Sequence, residues 1–205
     1  MKSPVNRDAE EGYRTLIAEA RFETKVRRSR FIATASPADS AEKADAFIAG
    51  IRQEWSDATH NCFAYRCDAL TYRFSDDGEP KGSAGKPILA AIDQAGLREV
   101  VIVVTRYFGG TRLGIGGLAR AYGEVAAGVL AHAQTGQRFP TAPLTASFPH
   151  GHIGAVMHVV SRLGVRIADT RYDEEVHLTL EVRLSGLDEV RRSLTECTSG
   201  NILLK

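Results

Sequence analysis

Apolar positions along the chain switch between two-residue and three-to-four-residue spacing, and each change of period marks an element. Arg14 to about Ser36 reads as two strands, the second carrying Ser29-Arg30-Phe31-Ile32-Ala33. Ala44, Phe47, Ile48 and Ile51 then recur at helical spacing, and Asp39 with Glu42 gives a capping-box-like start to a helix through Trp55. Two more strands, Thr59 to Cys67 and Leu70 to Phe74, lead into the loop SDDGEPKGSAGKP from Ser75 to Pro87. Its glycines and prolines predict irregular structure before a short helix, Ile88 to Ala95. Val100 to Val104 is an unbroken β-branched run of the kind buried on both faces of a sheet. After a glycine-rich segment, Ile115, Leu118, Ala119, Tyr122, Val125, Ala126, Val129 and Leu130 form one stripe of a long helix ending near Ala133.

The stretch from Gln134 to Pro143 is polar and proline-bearing and reads as a linker. Beyond it come strand Leu144–Phe148, helix His152–Leu163, strands Val165–Tyr172 and Glu175–Leu184, helix Leu187–Thr198 and strand Asn201–Leu204. Ser185 with Asp188 is the expected cap of the second helix. The βαββαβ order is that of a ferredoxin-like domain, and the two parts are expected to be separable.

Length adds that 205 residues can bury one large core or two small ones. An apolar fraction of 43% and a charged fraction of 25% are those of an ordinary globular chain. The first dozen residues are polar, with no apolar leader, and no run approaches a membrane span, so a cytoplasmic protein without membrane contact is expected. Cys62, Cys67 and Cys197 lack CxxC spacing, which argues against a disulfide framework or a zinc site. A net charge of +1 excludes a broad basic surface gripping nucleic acid, so only local patches can contact phosphate. From Ala142 onward seven Lys/Arg face eight Asp/Glu, which puts the basic excess in the first part.

The richest segment chemically is Arg106–Tyr122, RYFGGTRLGIGGLARAY, between the buried strand and the long helix. Gly109, Gly110, Gly114, Gly116 and Gly117 can bring several N–H groups to one point at a positive helix end, where an anion is the natural guest. The competing reading is a tightly packed turn. The spacing fits neither G-x-x-x-x-G-K-[ST] nor G-x-G-x-x-G, which argues against the familiar ATP and NAD loops. Lys81, Lys86, Arg106, Arg112 and Arg120 are candidates for an electropositive pocket around these glycines. Asp76, Asp77 and Glu79 can hold a hard cation, support those bases, act as acid and base, or simply shape a turn, and they lack the D-x-D-x-D-G pattern of a calcium site. His60 is the general-base candidate, with a structural histidine as the alternative. His150 and His152 resemble a metal pair only superficially. Ser83 has neither an elbow motif nor an identified base, which argues against a serine hydrolase; the sequence assigns no catalytic residues, and no metal or cofactor is expected.

ATHNCFAYR, SDDGEPKGSAGKPIL and VVTRYFGGTRLGIGGLARAYG, in that order, resemble the YigZ/IMPACT family. The resemblance implies an α+β protein of two domains with boundaries near 1–138 and 142–205. The first would have the ribosomal-protein/GHMP-kinase-like βαβ fold, which can contain a left-handed crossover. The second would be ferredoxin-like and similar to domain V of elongation factor G. Eukaryotic members regulate translation by competing for the activator of a kinase that senses uncharged tRNA. They also carry an RWD domain that this sequence is expected to lack, so that partner is not carried over.

The leading expectation is therefore a non-enzymatic, translation-associated regulatory or binding protein. Its basic glycine-rich face would contact RNA, a ribosome-linked protein or a phosphate-bearing ligand. A small-molecule phosphate-handling enzyme and a protein adaptor acting through the C-terminal module are the alternatives.

Overall fold

The computed structural model describes residues 12–205; the rest of the polar N-terminal segment lies outside the described residues. The chain is mixed α+β and divides after Arg138 into two compact units.

The first unit contains β1 (Tyr13–Leu16), β2 (Ala20–Val26), β3 (Ser29–Pro37), α1 (Ala41–Glu54), β4 (His60–Arg66), β5 (Tyr72–Ser75), α2 (Gly85–Ala95), β6 (Val100–Tyr107), α3 (Gly114–His132) and β7 (Thr135–Arg138). Five strands form one antiparallel sheet in the order β2-β3-β6-β4-β5. Since β3 and β4 both run against the β6 that separates them, α1 connects two parallel strands, a βαβ unit. The Val100–Val104 run is explained by its central place. Val100, Ile102 and Val104 pack with α2 and α3, whereas Val101 and Val103 pack with α1 on the other face.

Several boundaries differ from those read in the sequence, each for a local reason. The expected linker is largely a strand: β7 pairs antiparallel with β1, Tyr13 opposite Arg138 and Leu16 opposite Thr135. The cap of α1 is Ser40, whose Oγ accepts from the Lys43 N–H at 3.3 Å, while Asp39 instead pairs with the Lys43 ammonium at 2.6 Å. Helix α2 starts three residues earlier than expected, at Gly85, because Pro87 falls in the first turn, where a missing N–H costs nothing. Likewise Gly114, Gly116 and Gly117 belong to α3, and only Gly109 and Gly110 remain in the connection.

The second unit contains β8 (Thr141–Phe148), α4 (Ile153–Arg162), β9 (Arg166–Tyr172), β10 (Val176–Arg183), α5 (Leu187–Cys197) and β11 (Leu203–Leu204). Its sheet order, β11-β8-β10-β9, all antiparallel, is that of the ferredoxin-like arrangement. Leu144, Ala146 and Phe148 of β8 and Val176, Leu178 and Leu180 of β10 face both helices. Ser185 does not cap α5: a single tight turn, Leu184–Gly186, runs into the helix with no side-chain cap. No helix among the described residues is long and apolar enough to cross a membrane.

Candidate functional site

Strand periodicity determines what lies at the end of β6. Arg106 has the same parity as Val104 and Ile102, so its side chain points toward α2 and α3, flanked by its register partners Phe31 on β3 and His60 on β4. A guanidinium in that position requires a buried counter-charge. Glu79 supplies it: Arg106 Nη1 donates to Glu79 Oε1 at 2.5 Å, with side-chain exposures of only 5% and 3%. Tyr122 of α3 donates to the same oxygen at 2.8 Å. The second guanidinium nitrogen, Nη2, donates to Ser29 Oγ at 3.2 Å, and that hydroxyl also accepts the Gly109 N–H at 3.2 Å. Arg106 Nε is buried without a partner.

The loop that presents Glu79 is tied down by its own acids. Asp76 accepts from the N–H groups of Gly82 at 2.7 Å, Ala84 at 3.0 Å and Gly85 at 2.9 Å, which caps α2 from nine residues upstream. Burial raises the Asp76 pKa, but the three N–H donors and Lys86 outweigh it and hold the carboxyl below its ordinary range. Asp77, with φ +43°, pairs with Arg52 at 2.7 Å and accepts the Asn61 N–H at 2.7 Å. Asp77 also offers its carbonyl to His60 Nδ1 at 2.7 Å, so that nitrogen carries the proton in the neutral ring. His60 Nε2 stands 3.9 Å from Glu79, beyond hydrogen-bond reach. Cys62 shares this face, where its thiol donates to the Asp76 carbonyl at 3.0 Å and burial pushes its pKa up. Among the described residues no group of His, Cys, Asp and Glu is placed to hold a metal ion.

The Asp76 contacts carry an expected result. Asp76→Ala should lower stability by about 1–2 kcal/mol in urea titrations at neutral pH, the scale of a lost helix cap. Because the folded-state pKa is depressed, this contribution is present above the unfolded value of about 3.9 and fades as pH falls through the folded value. Wild type and variant should therefore converge in acid. A deficit independent of pH would show that the carboxylate charge is irrelevant.

Beside the ion pair lies a cavity of about 270 Å³, walled by Phe108, Leu113, Ile115 and Leu118, with Arg106 and Glu79 lining it and Arg112 contributing its long side chain. The backbone of Gly114 opens onto it, since α3 begins at this residue with no side-chain cap and no acidic residue in its first turn. Its uncompensated N–H groups make this end electropositive. Of the sequence candidates, Glu79, Arg106, Arg112 and Gly114 thus converge. Lys81, Lys86 and Arg120 are exposed and do not line the cavity, and Asp76, Asp77 and His60 shape the loop behind it. Gly109 serves a close approach, its Cα lying against the Arg28 carbonyl; Gly110 and Gly114 have φ of +82° and +72°. Gly116 and Gly117 are ordinary helical residues.

Ser29, Tyr122 and Phe108 were not among the sequence candidates. Tyr122 carried a signal, a hydroxyl on an otherwise apolar stripe that must find a partner when buried. Ser29 carried none, because its partners lie 77 and 80 residues away.

The Impact N-terminal domain model matches residues 27–130, and a domain family of unknown function, DUF1949, matches residues 147–201. The chain is 34% identical over 188 residues to an IMPACT family member of Haemophilus influenzae, covering 90% of this chain and 91% of that one. It is 32% identical over 184 residues to IMPACT family member YigZ of Escherichia coli, covering 88% and 90%. An IMPACT family member of Thermus thermophilus is 56% identical over 119 residues, and there the match spans 61% of the relative's length. A crystal structure described as that of a hypothetical protein superposes with a TM-score of 0.77 at 31% identity, covering 95% of this chain and 96% of its own. Both domain matches and the near full-length relatives lead to one assignment: the chain belongs to the IMPACT family.

Proposed function

We propose that the N-terminal unit is a binding module for single-stranded RNA, acting in the regulation of translation as the family resemblance implies. The observation that carries this reading is Phe108, a ring 46% exposed at the mouth of the cavity beside the uncapped start of α3. A base stacked on Phe108 places its phosphate within reach of positive helix-end N–H groups and Arg112. Arg27 and Arg28 occupy the turn between β2 and β3, whose backbone rests on Gly109, and extend the positive rim. Residues 13–138 contain seventeen Lys/Arg against fourteen Asp/Glu, an excess small enough that this patch, rather than the whole surface, would select the ligand.

Fluorescence anisotropy of a labelled single-stranded RNA with the intact chain tests it. Phe108→Ala and Arg112→Ala should each weaken binding by about 1–3 kcal/mol without lowering the melting temperature. Loss of Arg112 should also reduce the salt dependence by about 0.7 in the logarithmic slope. No binding at low salt would sink the proposal. Full competition by a nucleoside monophosphate, with affinity independent of RNA length, would replace the polymer by a small phosphate-bearing ligand.

A further inference from the structure

The register of the ferredoxin-like sheet places Ser147 of β8 directly opposite His177 of β10, and Thr145 opposite Thr179. All four have the parity opposite to the core residues Ala146 and Leu178, so they occupy the face turned away from α4 and α5. Ser147 Oγ lies 2.7 Å from His177 Nδ1, and His177 Nε2 lies 3.0 Å from Asp173 Oδ1. Asp173 is itself held in place, by the Glu175 N–H at 3.2 Å and the Arg171 Nε at 3.3 Å. An ionised carboxylate only accepts, so Nε2 carries the ring proton. Nδ1 is then the acceptor, and Ser147 O–H is the donor. That is the polarity of a serine activated by a histidine base that a carboxylate orients, with the two ring nitrogens exchanged relative to the usual serine-protease arrangement.

A cavity of about 270 Å³ adjoins the trio, lined among others by Thr145, Asp169, Arg171 and Thr179. Thr179 and the terminal nitrogens of Arg171 are the donors on its wall, whereas the Thr145 hydroxyl donates to the Lys205 carbonyl at 3.4 Å; Asp169 lines the same space and Asp173 pairs with Arg171, so the charges balance and the cavity suits an uncharged ester.

We propose that Ser147 is a nucleophile and that this face of the C-terminal unit hydrolyses small uncharged carboxylic esters. Oγ bonds to the ester carbonyl carbon as its proton passes to His177 Nδ1. The carbon–oxygen bond to the alcohol then breaks, and the alcohol leaves with that proton. Water attacks the acyl-serine next, gives a proton to Nδ1, and the acid departs as Oγ recovers it. The sum is ester and water to acid and alcohol, with no redox change and no cofactor.

The full chain should release nitrophenolate from 4-nitrophenyl acetate, and more slowly from the negatively charged 4-nitrophenyl monoester of succinic acid. Mass spectrometry of quenched samples should locate the acyl group on Ser147. Ser147→Ala should lose the adduct and at least about 100-fold in rate, and His177→Gln and Asp173→Asn at least about 10-fold, while the melting temperature stays put. Ser147→Cys gives a second readout: iodoacetamide should alkylate it at neutral pH faster with His177 present than in the His177→Gln background. Wild-type hydrolysis in Ser147→Ala, acylation confined to other residues, or alkylation indifferent to His177 would each overturn the assignment.

Discussion

Gly109→Ala should abolish the stable fold of the N-terminal unit. An ideal Cβ at this position would sit 1.9 Å from the Arg28 carbonyl oxygen and 2.0 Å from its carbon. Those are backbone atoms of the turn between β2 and β3, so no side chain can rotate away. The cost belongs with exceptional substitutions, above about 4 kcal/mol, against a typical total stability of only about 5–15 kcal/mol. Gly116→Ala is the internal control. It has nothing within 4 Å, lies in α3, and should gain about 0.5–1 kcal/mol from the lower entropy of the unfolded chain. Urea midpoints of the two variants compared with wild type decide the matter, and a Gly109→Ala protein with a normal midpoint would show that the turn and the loop are not locked together.

Arg106→Ala and Glu79→Ala should each destabilise by about 3–5 kcal/mol, because either change leaves an uncompensated buried charge. The pair is nearly sealed, with Tyr122 and Ser29 as its other hydrogen-bond partners and the Phe31 ring 5.4 Å from the guanidinium carbon. The double variant Arg106→Met with Glu79→Leu should recover most of the loss, since an apolar pair of similar volume avoids desolvating two ions. Arg106→Lys should not rescue, because an ammonium cannot reproduce the planar fork that reaches Glu79 and Ser29 together. Equilibrium unfolding of the four proteins tests this. Additive losses in the double variant would mean that the two residues act separately.

What could be read from the chain was local. Alternation along β8 and β10 and the stripes of α4 and α5 announce the second unit, and the valine run announces a central strand. The features that escaped depend on partners far away in sequence. β6 extends through Thr105 and Arg106 because Asn61 and Glu79 wait to satisfy them, 44 and 27 residues distant. α2 begins among glycine and proline because Asp76 caps it from outside the usual capping position. β7 looks like a linker because its residues are polar, and what makes it a strand is β1, more than a hundred residues earlier. The motifs singled out the segments that border the cavity, but which of the glycines and bases line it depended on where the helix began.

The pairing of β1 with β7 has a bearing on how this unit can be combined with others. Its first and last strands lie side by side, with Tyr13 across from Arg138, so the stretch between them is a closed cassette whose entry and exit share one doorway. Such a cassette can be spliced into a host loop or recut into a permuted chain while the sheet keeps its strand order. The same doorway makes the outermost pairing depend on the whole intervening sequence, since closing so long a loop precedes any reward from it. Assembly would then proceed from the valine-rich centre outward, with the gate shutting last.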